Sequence, residues 1–398
     1  MDKQNLRILF MGTPDFAVAS LKALVEGGYC VVGVVTMPDK PMGRHGSVLQ
    51  ASPVKQYAAA QGLRVLQPER LSDPAFVDEL RALRADLQII VAFRMLPRVV
   101  WEMPRLGTFN LHASLLPQYR GAAPINWAVI HGDKETGVTT FFLRHEIDTG
   151  DIILQRRVPI AETDDAGTVH DRLMAIGAAL VVETVDRIII GERRKQKIRY
   201  KIFDRLLFGR KRKYGVKIIP QTKVLKELHK QRIIDDYRAS KPKFTNLGSS
   251  VRGSSLGFSA FMRQNLPLKM EVLLRGTQVL PPLRDAPKIF RDTCHIDWCQ
   301  PTERVYNFIR GLAPYPAAWT EILSADGRRM ALKVFRSERI AEPHALSPGA
   351  IRTDGRRHLD VATEDGFLRL LDVQPAGKRR MTADQFLNGT DVSACCMA

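Results

Sequence analysis

From residue 6 to about residue 160, short apolar runs alternate with amphipathic stretches, and this alternation limits the fold more than any other feature of the chain. Leu6–Met11 is an apolar run closed by Gly12-Thr-Pro14, and a helical pattern follows from Phe16 to Val25. Val31–Thr36, Arg64–Leu66 and Leu87–Phe93 read as further strands. Helical patterns over Pro53–Gln61 and Asp73–Arg84 lie between them, and a loop rich in Pro, Gly and polar residues spans 37–52. Strands alternating with helices at this spacing predict a parallel sheet with crossover helices. Ligands of such sheets sit at the carboxyl ends of strands. The first strand is followed by Met11-Gly-Thr-Pro-Asp-Phe16, which lacks the glycine pattern of a dinucleotide site, so nicotinamide is not expected.

A closing helix is expected over Thr168–Ile190. From about 286, strand-like stretches (Ala331–Phe335, His358–Ala362, Phe367–Val373) alternate with turns such as Thr353-Asp-Gly355 and Glu364-Asp-Gly366, the pattern of a small β-barrel. The expected division is therefore 1–190, 191–285 and 286–398. The middle segment is set apart by charge: residues 192–285 hold 24 Lys and Arg against 7 Asp and Glu, a net +17 of the chain's +18. It opens with Arg193-Arg-Lys-Gln-Lys197, carries Arg210-Lys-Arg-Lys213, and offers one helical pattern near Thr222–Tyr237 before Gly248-Ser-Ser-Val-Arg-Gly-Ser-Ser-Leu-Gly257. Too few apolar positions recur there for an independent core. Such a segment fits an extended RNA surface, a contact for another anionic partner, or a foreign sequence tolerated at a linker.

An apolar fraction of 45% with 26% charged residues describes a globular protein, and no apolar run approaches the roughly 18 residues of a membrane span. The N-terminus has no signal-peptide layout, so the cytoplasm is expected. The five cysteines are odd in number and irregular in spacing, which predicts reduced thiols. Cys294-His295 with Cys299 is not followed by a second ligand pair at zinc-finger spacing, and no metal is expected.

The chemistry concentrates in Asn110-Leu-His112 and in Asp148-Thr-Gly-Asp151. Asn can donate to a developing oxyanion, His can move a proton near neutral pH, and Asp can orient the imidazole and support its charged form. Taken singly, each has a plain structural reading: a strand-ending amide, a satisfied core imidazole, and an Asp in a turn.

In their frame the three resemble the folate-dependent formyltransferases. The matching residues are Gly12-Thr-Pro-Asp-Phe16, Asn110, His112, Ser114-Leu-Leu-Pro117, Arg120-Gly-Ala-Ala-Pro124 and Asp148-Thr-Gly-Asp151. A downstream set adds Ile296-Asp-Trp298, Ile309-Arg-Gly-Leu-Ala-Pro-Tyr-Pro316, Trp319 and Gln374-Pro-Ala-Gly-Lys-Arg-Arg-Met381. The likeness covers about 1–190 and 286–398, whereas the family joins its domains by a much shorter linker than 191–285.

The resemblance implies an α/β, Rossmann-like formyltransferase domain with a parallel sheet, followed by a C-terminal OB-like β-barrel that helps hold tRNA. It implies transfer of the formyl group of 10-formyltetrahydrofolate, a cosubstrate released as tetrahydrofolate, to the α-amino group of methionine on initiator tRNA. Asn110, His112 and Asp148 would be catalytic. Phe93, Met95, Leu96, Ser114, Leu115, Leu116 and Pro117 would meet the folate. Arg44, in the loop Met37–Gly46, and Lys378, Arg379 and Arg380 would meet the tRNA. A monomer fits the family. Rival readings are a formyltransferase acting on glycinamide ribonucleotide, an amino sugar or another small amine, and a catalytically idle RNA-binding homologue. The C-terminal barrel argues against the ribonucleotide enzyme, which lacks it.

Overall fold

The computed structural model describes residues 2–42, 48–144, 150–203, 219–220 and 282–398. Asp148, Arg44 and the helix expected over 222–237 lie outside the described residues. The described residues up to 219 and from 284 to 398 form one compact unit.

The N-terminal part runs β1 (Ile8–Gly12), α1 (Asp15–Glu26), β2 (Val31–Val35), β3 (Lys40–Met42), β4 (Val48–Gln50), α2 (Pro53–Ala60), β5 (Val65–Leu66), α3 (Pro74–Ala82), β6 (Leu87–Val91), α4 (Arg98–Trp101), β7 (Thr108–His112), β8 (Arg120–Gly121), α5 (Pro124–Ile130), β9 (Glu135–Phe142), β10 (Asp151–Pro159) and α6 (Ala166–Phe203). Two helix starts follow directly from sequence. Ser52 caps α2 by accepting from Lys55 N–H, Asp73 caps α3 by accepting from Ala75 N–H, and each cap is followed by a proline that needs no partner there.

Strands β5, β2, β1, β6 and β7 lie side by side and parallel, as expected. The sheet is not parallel throughout: β9 pairs antiparallel with β7, and β10 antiparallel with β9. Stretch 37–52, read as loop, carries the antiparallel β3–β4 pair, whose three-residue strands are too short to show a period. Side chains of β1 alternate between two cores. Ile8 and Phe10 pack in the cluster holding Leu21, Leu24, Val181 and Val185 from α1 and α6, whereas Leu9 and Met11 join Phe76 and Leu80 of α3. Helix α6 continues past Ile190 into the basic segment.

The described chain resumes through β11 (Ile219–Pro220) and β12 (Asp285–Ala286), followed by α7 (Thr302–Leu312), β13 (Ala318–Ser324), β14 (Arg329–Ile340), β15 (Ile351–Thr353), β16 (Leu359–Ala362), β17 (Phe367–Pro375), β18 (Met381–Thr382), α8 (Ala383–Leu387) and β19 (Cys395–Met397). Six strands follow the order β15-β16-β17-β14-β13-β19, antiparallel at each pairing. A bridge between Ala350 and Cys396 brings the two ends of that order together, giving a nearly closed, OB-like barrel around Trp298, Leu332, Val334, Leu368 and Phe386.

The Ile309–Pro316 motif docks this barrel on the sheet domain. A Cβ on Gly311 would stand 2.5 Å from Cγ1 of Ile130 and 2.8 Å from its backbone nitrogen, so only glycine lets α7 lie this close to α5. The Gly311 carbonyl accepts from Asn126 Nδ2 at 2.8 Å. Arg310, 7% exposed, donates through Nη1 to the carbonyl of Asp164 at 2.8 Å and through Nε to Asn307 Oδ1 at 2.7 Å. Burial pulls its pKa down, but guanidinium starts so high that it stays charged.

Candidate active site

Asn110 and His112 stand two residues apart on β7 and therefore on one face of the strand. Both line a cavity of about 800 Å³ with Ile90, Phe93, Leu96, Trp101, Leu111 and Leu143 as its apolar walls. This is the carboxyl end of a parallel strand, where the alternation of elements placed the ligand site. Oδ1 of Asn110 is buried without a hydrogen-bond partner, an acceptor left available to a bound molecule. Leu143 and Arg144, the last described residues before Asp148, also line the cavity.

His112 is 7% exposed, and its Nε2 lies 2.8 Å from the carbonyl oxygen of Tyr119. A carbonyl can only accept, so Nε2 carries a proton, and any neutral form of the ring with this bond has its lone pair on Nδ1. The partner of Nε2 is thus a backbone atom that the motif pattern does not single out. Tyr119 adopts a left-handed backbone (φ 57°), and the Leu116–Pro117 peptide before it is cis.

The expected folate residues divide. Phe93, Met95 and Leu96 line the cavity, with Met95 72% exposed. Ser114, Leu115, Leu116 and Pro117 are not among its lining residues; they build the turn behind it. Ser114 Oγ donates to the Gln118 carbonyl at 2.6 Å, the Ser114 carbonyl accepts from Thr139 Oγ1, and the Leu116 carbonyl accepts from Gln155 Nε2 at 2.8 Å. Leu116 packs with Phe141 and Ile152. Their sequence spacing to His112 was legible, but the reversal of direction at the turn was not.

Tyr119 and its neighbours hold the returning chain. Its phenol donates to Asp133 Oδ2 at 2.6 Å, with Arg284 Nη1 at 3.2 Å and His131 Nδ1 at 3.1 Å on the same oxygen. Burial first, then Asp133, pushes the phenol well above its usual range, so it remains a donor. Burial, reinforced by the Arg284 charge, lowers the His131 pKa and favours a neutral ring. Arg284 bridges to Asp133 Oδ1 at 2.8 Å. Strand β12 pairs parallel with β8, Asp285 opposite Arg120 and Ala286 opposite Gly121. Gly121 has φ 124°, and a Cβ there would lie 2.4 Å from the Ala286 carbonyl oxygen. Ala286 is fully buried in the N-terminal core.

A second cavity of about 740 Å³ shares Ala122, Ala123 and Asn126 with the first and opens along the barrel. Its walls carry Lys288, Arg291 and Lys333 together with Phe290, Tyr315 and Trp319. Phe290 is 57% and Tyr315 84% exposed, and Arg291 lies over the Trp319 ring at 5.7 Å. Sequence reasoning picked out Tyr315 and Trp319 only as motif matches and missed Lys288, Phe290, Arg291 and Lys333, because these residues are scattered from 288 to 333 and converge only through the barrel. Lys378 and Arg379 are exposed just after Ala376 and Gly377, which line this cavity. Arg380 is engaged, bridging to Asp372 at 2.6 Å and lying over Phe335 at 4.4 Å. No cluster of three potential metal ligands occurs among the described residues.

Residues 5–185 match the Formyl transferase family and 288–391 match the Formyl transferase, C-terminal domain family. Residues 186–287 lie in neither match. The chain is 55% identical to the methionyl-tRNA formyltransferase of Parabacteroides distasonis, over 98% of this chain and 97% of that protein. It is 50% identical to that of Bacteroides thetaiotaomicron, over 99% and 98%. Among solved structures, the sugar 3N-formyl transferase WlaRD is similar in fold, with a TM-score of 0.50 and 16% identity, over 94% of this chain and 99% of that one. The matches cover both halves of the cavity-bearing unit, and by them the chain belongs to the formyl transferase family, among the methionyl-tRNA formyltransferases.

Proposed function

We propose that this chain transfers a formyl group from 10-formyltetrahydrofolate to the α-amino group of methionine on initiator tRNA, in the cytoplasm and as a monomer. The observation that carries the reading is the shared wall at Ala122, Ala123 and Asn126. It joins a cavity holding Asn110 and His112 to a groove lined by cations and aromatic rings. Single-stranded RNA ends are held by that combination, since rings stack on bases and cations neutralise phosphates.

The folate supplies the formyl carbon, and its own N10 leaves as an amine that takes up a proton when the C–N10 bond breaks. A pterin needs an apolar slot with a few polar groups, and the Ile90, Phe93, Leu96 and Leu111 walls with the unpartnered Oδ1 of Asn110 fit that need. Attack of the neutral amine on the formyl carbon produces an oxyanion, to which Asn110 Nδ2 would donate; a donor of this kind contributes about 3–4 kcal/mol to the rate. With Nε2 of His112 engaged by Tyr119, proton exchange with the reacting amine or with Asp148 falls to Nδ1. Asp148 would support the charged imidazole and pass a proton toward the leaving nitrogen. Lys288, Arg291, Lys333, Lys378 and Arg379 would meet phosphates, and Arg44 would reach the acceptor end. Arg380 would have to leave Asp372 to do the same.

The test is to incubate the full-length chain with 10-formyltetrahydrofolate and methionyl initiator tRNA and to count formyl groups on the tRNA. Turnover that disappears with Asp148→Asn supports the reading. Formylation of an amino-sugar nucleotide, with none on the tRNA, would replace it.

A further inference from the structure

We infer that Tyr119 and Arg284 are positioning residues for His112, so that the strand by which the chain returns from its basic segment is part of the catalytic apparatus. The inference rests on the proton-transfer reading of His112. Its starting point is the 2.8 Å contact between His112 Nε2 and the Tyr119 carbonyl. That carbonyl favours the proton on Nε2, and so leaves Nδ1 as the nitrogen that can exchange one during the reaction.

The Tyr119 residue is held at both ends by the returning chain. Its N–H donates to the Arg284 carbonyl at 2.6 Å, and its phenol oxygen receives Arg284 Nη1 at 3.2 Å. Arg284 is itself fixed, its N–H donating to Gln118 Oε1 at 2.8 Å and its guanidinium to Asp133 at 2.8 Å. Immediately downstream, the Ala286 carbonyl accepts from the N–H groups of both Ala122 and Ala123, at 2.8 and 3.2 Å. The Gln118–Ala123 turn is therefore clamped by residues some 165 positions later in the chain. Loss of the clamp would let the Tyr119 carbonyl rotate away and His112 sample the other tautomer, which exposes a donor where the reaction needs an acceptor. A buried group that merely packs would not change the proton distribution on a neighbouring ring.

The experiment uses full-length protein labelled with ¹⁵N-histidine, the His112 signals being assigned by their loss in His112→Asn. In the wild type these signals should report the Nε2–H tautomer. Tyr119→Phe and Arg284→Met should move them toward the tautomer-averaged position. kcat should fall about tenfold, the scale of one lost hydrogen bond to a charged partner, with KM for tRNA changed no more than about twofold. Arg284→Lys, which keeps the charge facing Asp133, should recover most of both effects. Asp133→Asn supplies the same readout should Tyr119→Phe fold poorly. Unchanged His112 signals in the folded variants would overturn the inference, whatever happens to kcat. Full activity of His112→Asn would instead sink the proton-transfer reading and leave the tautomer result standing.

Discussion

The two cavities share three residues and almost nothing else. The inner one, at the end of β7, is walled largely by aliphatic and aromatic side chains, with Asn110, Asn126, His112 and His170 among its polar groups. The outer one, along the barrel, exposes three cations and three aromatic rings. The inner site can favour a developing charge because its apolar walls, beside the buried His112, lower the local dielectric. The outer one stays in contact with solvent, where a cation on a phosphate is worth much less and depends on salt. The difference teaches that reaction and recognition should be separable, the first read in kcat and the second in KM for tRNA.

The largest expected effect is at the inner site. Asn110→Ala should lower kcat by roughly 10²–10³, and His112→Ala by a similar factor, with KM for tRNA changing less than about threefold. Steady-state formylation measures both, and a KM effect exceeding the kcat effect would break the comparison. Replacing Lys288, Arg291 and Lys333 together by Ala should raise KM for tRNA by about tenfold or more. If each engages one phosphate, the log–log salt dependence should flatten by about 2. A salt slope equal to wild type would remove the outer groove from the tRNA path.

Coupling between the two cavities gives a smaller, structural test. Gly311→Val forces a side chain into Ile130 and should destabilise the α5–α7 contact by about 1–3 kcal/mol, visible as a lower Tm or a split unfolding transition. A single transition at the wild-type temperature would mean that the domains are held by something other than this packing.

The smallest effect concerns acid. Asp164, 6% exposed, accepts from Arg172 at 2.8 and 3.0 Å and from Ala161 N–H at 2.8 Å; the Arg172 bonds, ahead of the opposing burial, hold its carboxyl below the usual range. A depressed native pKa means stability that is complete above the unfolded value near pH 4 and is lost as pH falls through the native value. The Tm gap between wild type and Asp164→Asn should therefore be widest near neutrality and shrink below about pH 4. An equal gap at pH 7 and pH 3 would rule out this carboxylate as the source.

Much of the architecture was readable in the chain. Ile8, Phe10, Leu9 and Met11 alternate between two cores as a strand buried on both faces must, and Ser52-Pro53 and Asp73-Pro74 start helices where such pairs start them. Asn110 and His112 could be paired from their spacing alone, since two residues on a strand share a face. The antiparallel placement of β9 and β10 could not, because an apolar run carries no record of the direction of its neighbour. The turn at Ser114–Pro117 likewise reads as a continuation of the site in sequence, while hydrogen bonds to Thr139 and Gln155 fold it behind the cavity.

The sequence by itself determined the alternating elements, the placement of charge in 192–285 and the residue types proposed for the chemistry, because periodicity, composition and motif spacing are local properties. Only the tertiary structure decided which nitrogen of His112 carries its proton, and that Arg284 stands behind Tyr119. A backbone carbonyl has no residue identity to recognise. A contact between positions 165 apart arises from packing the whole chain, and no local window contains it.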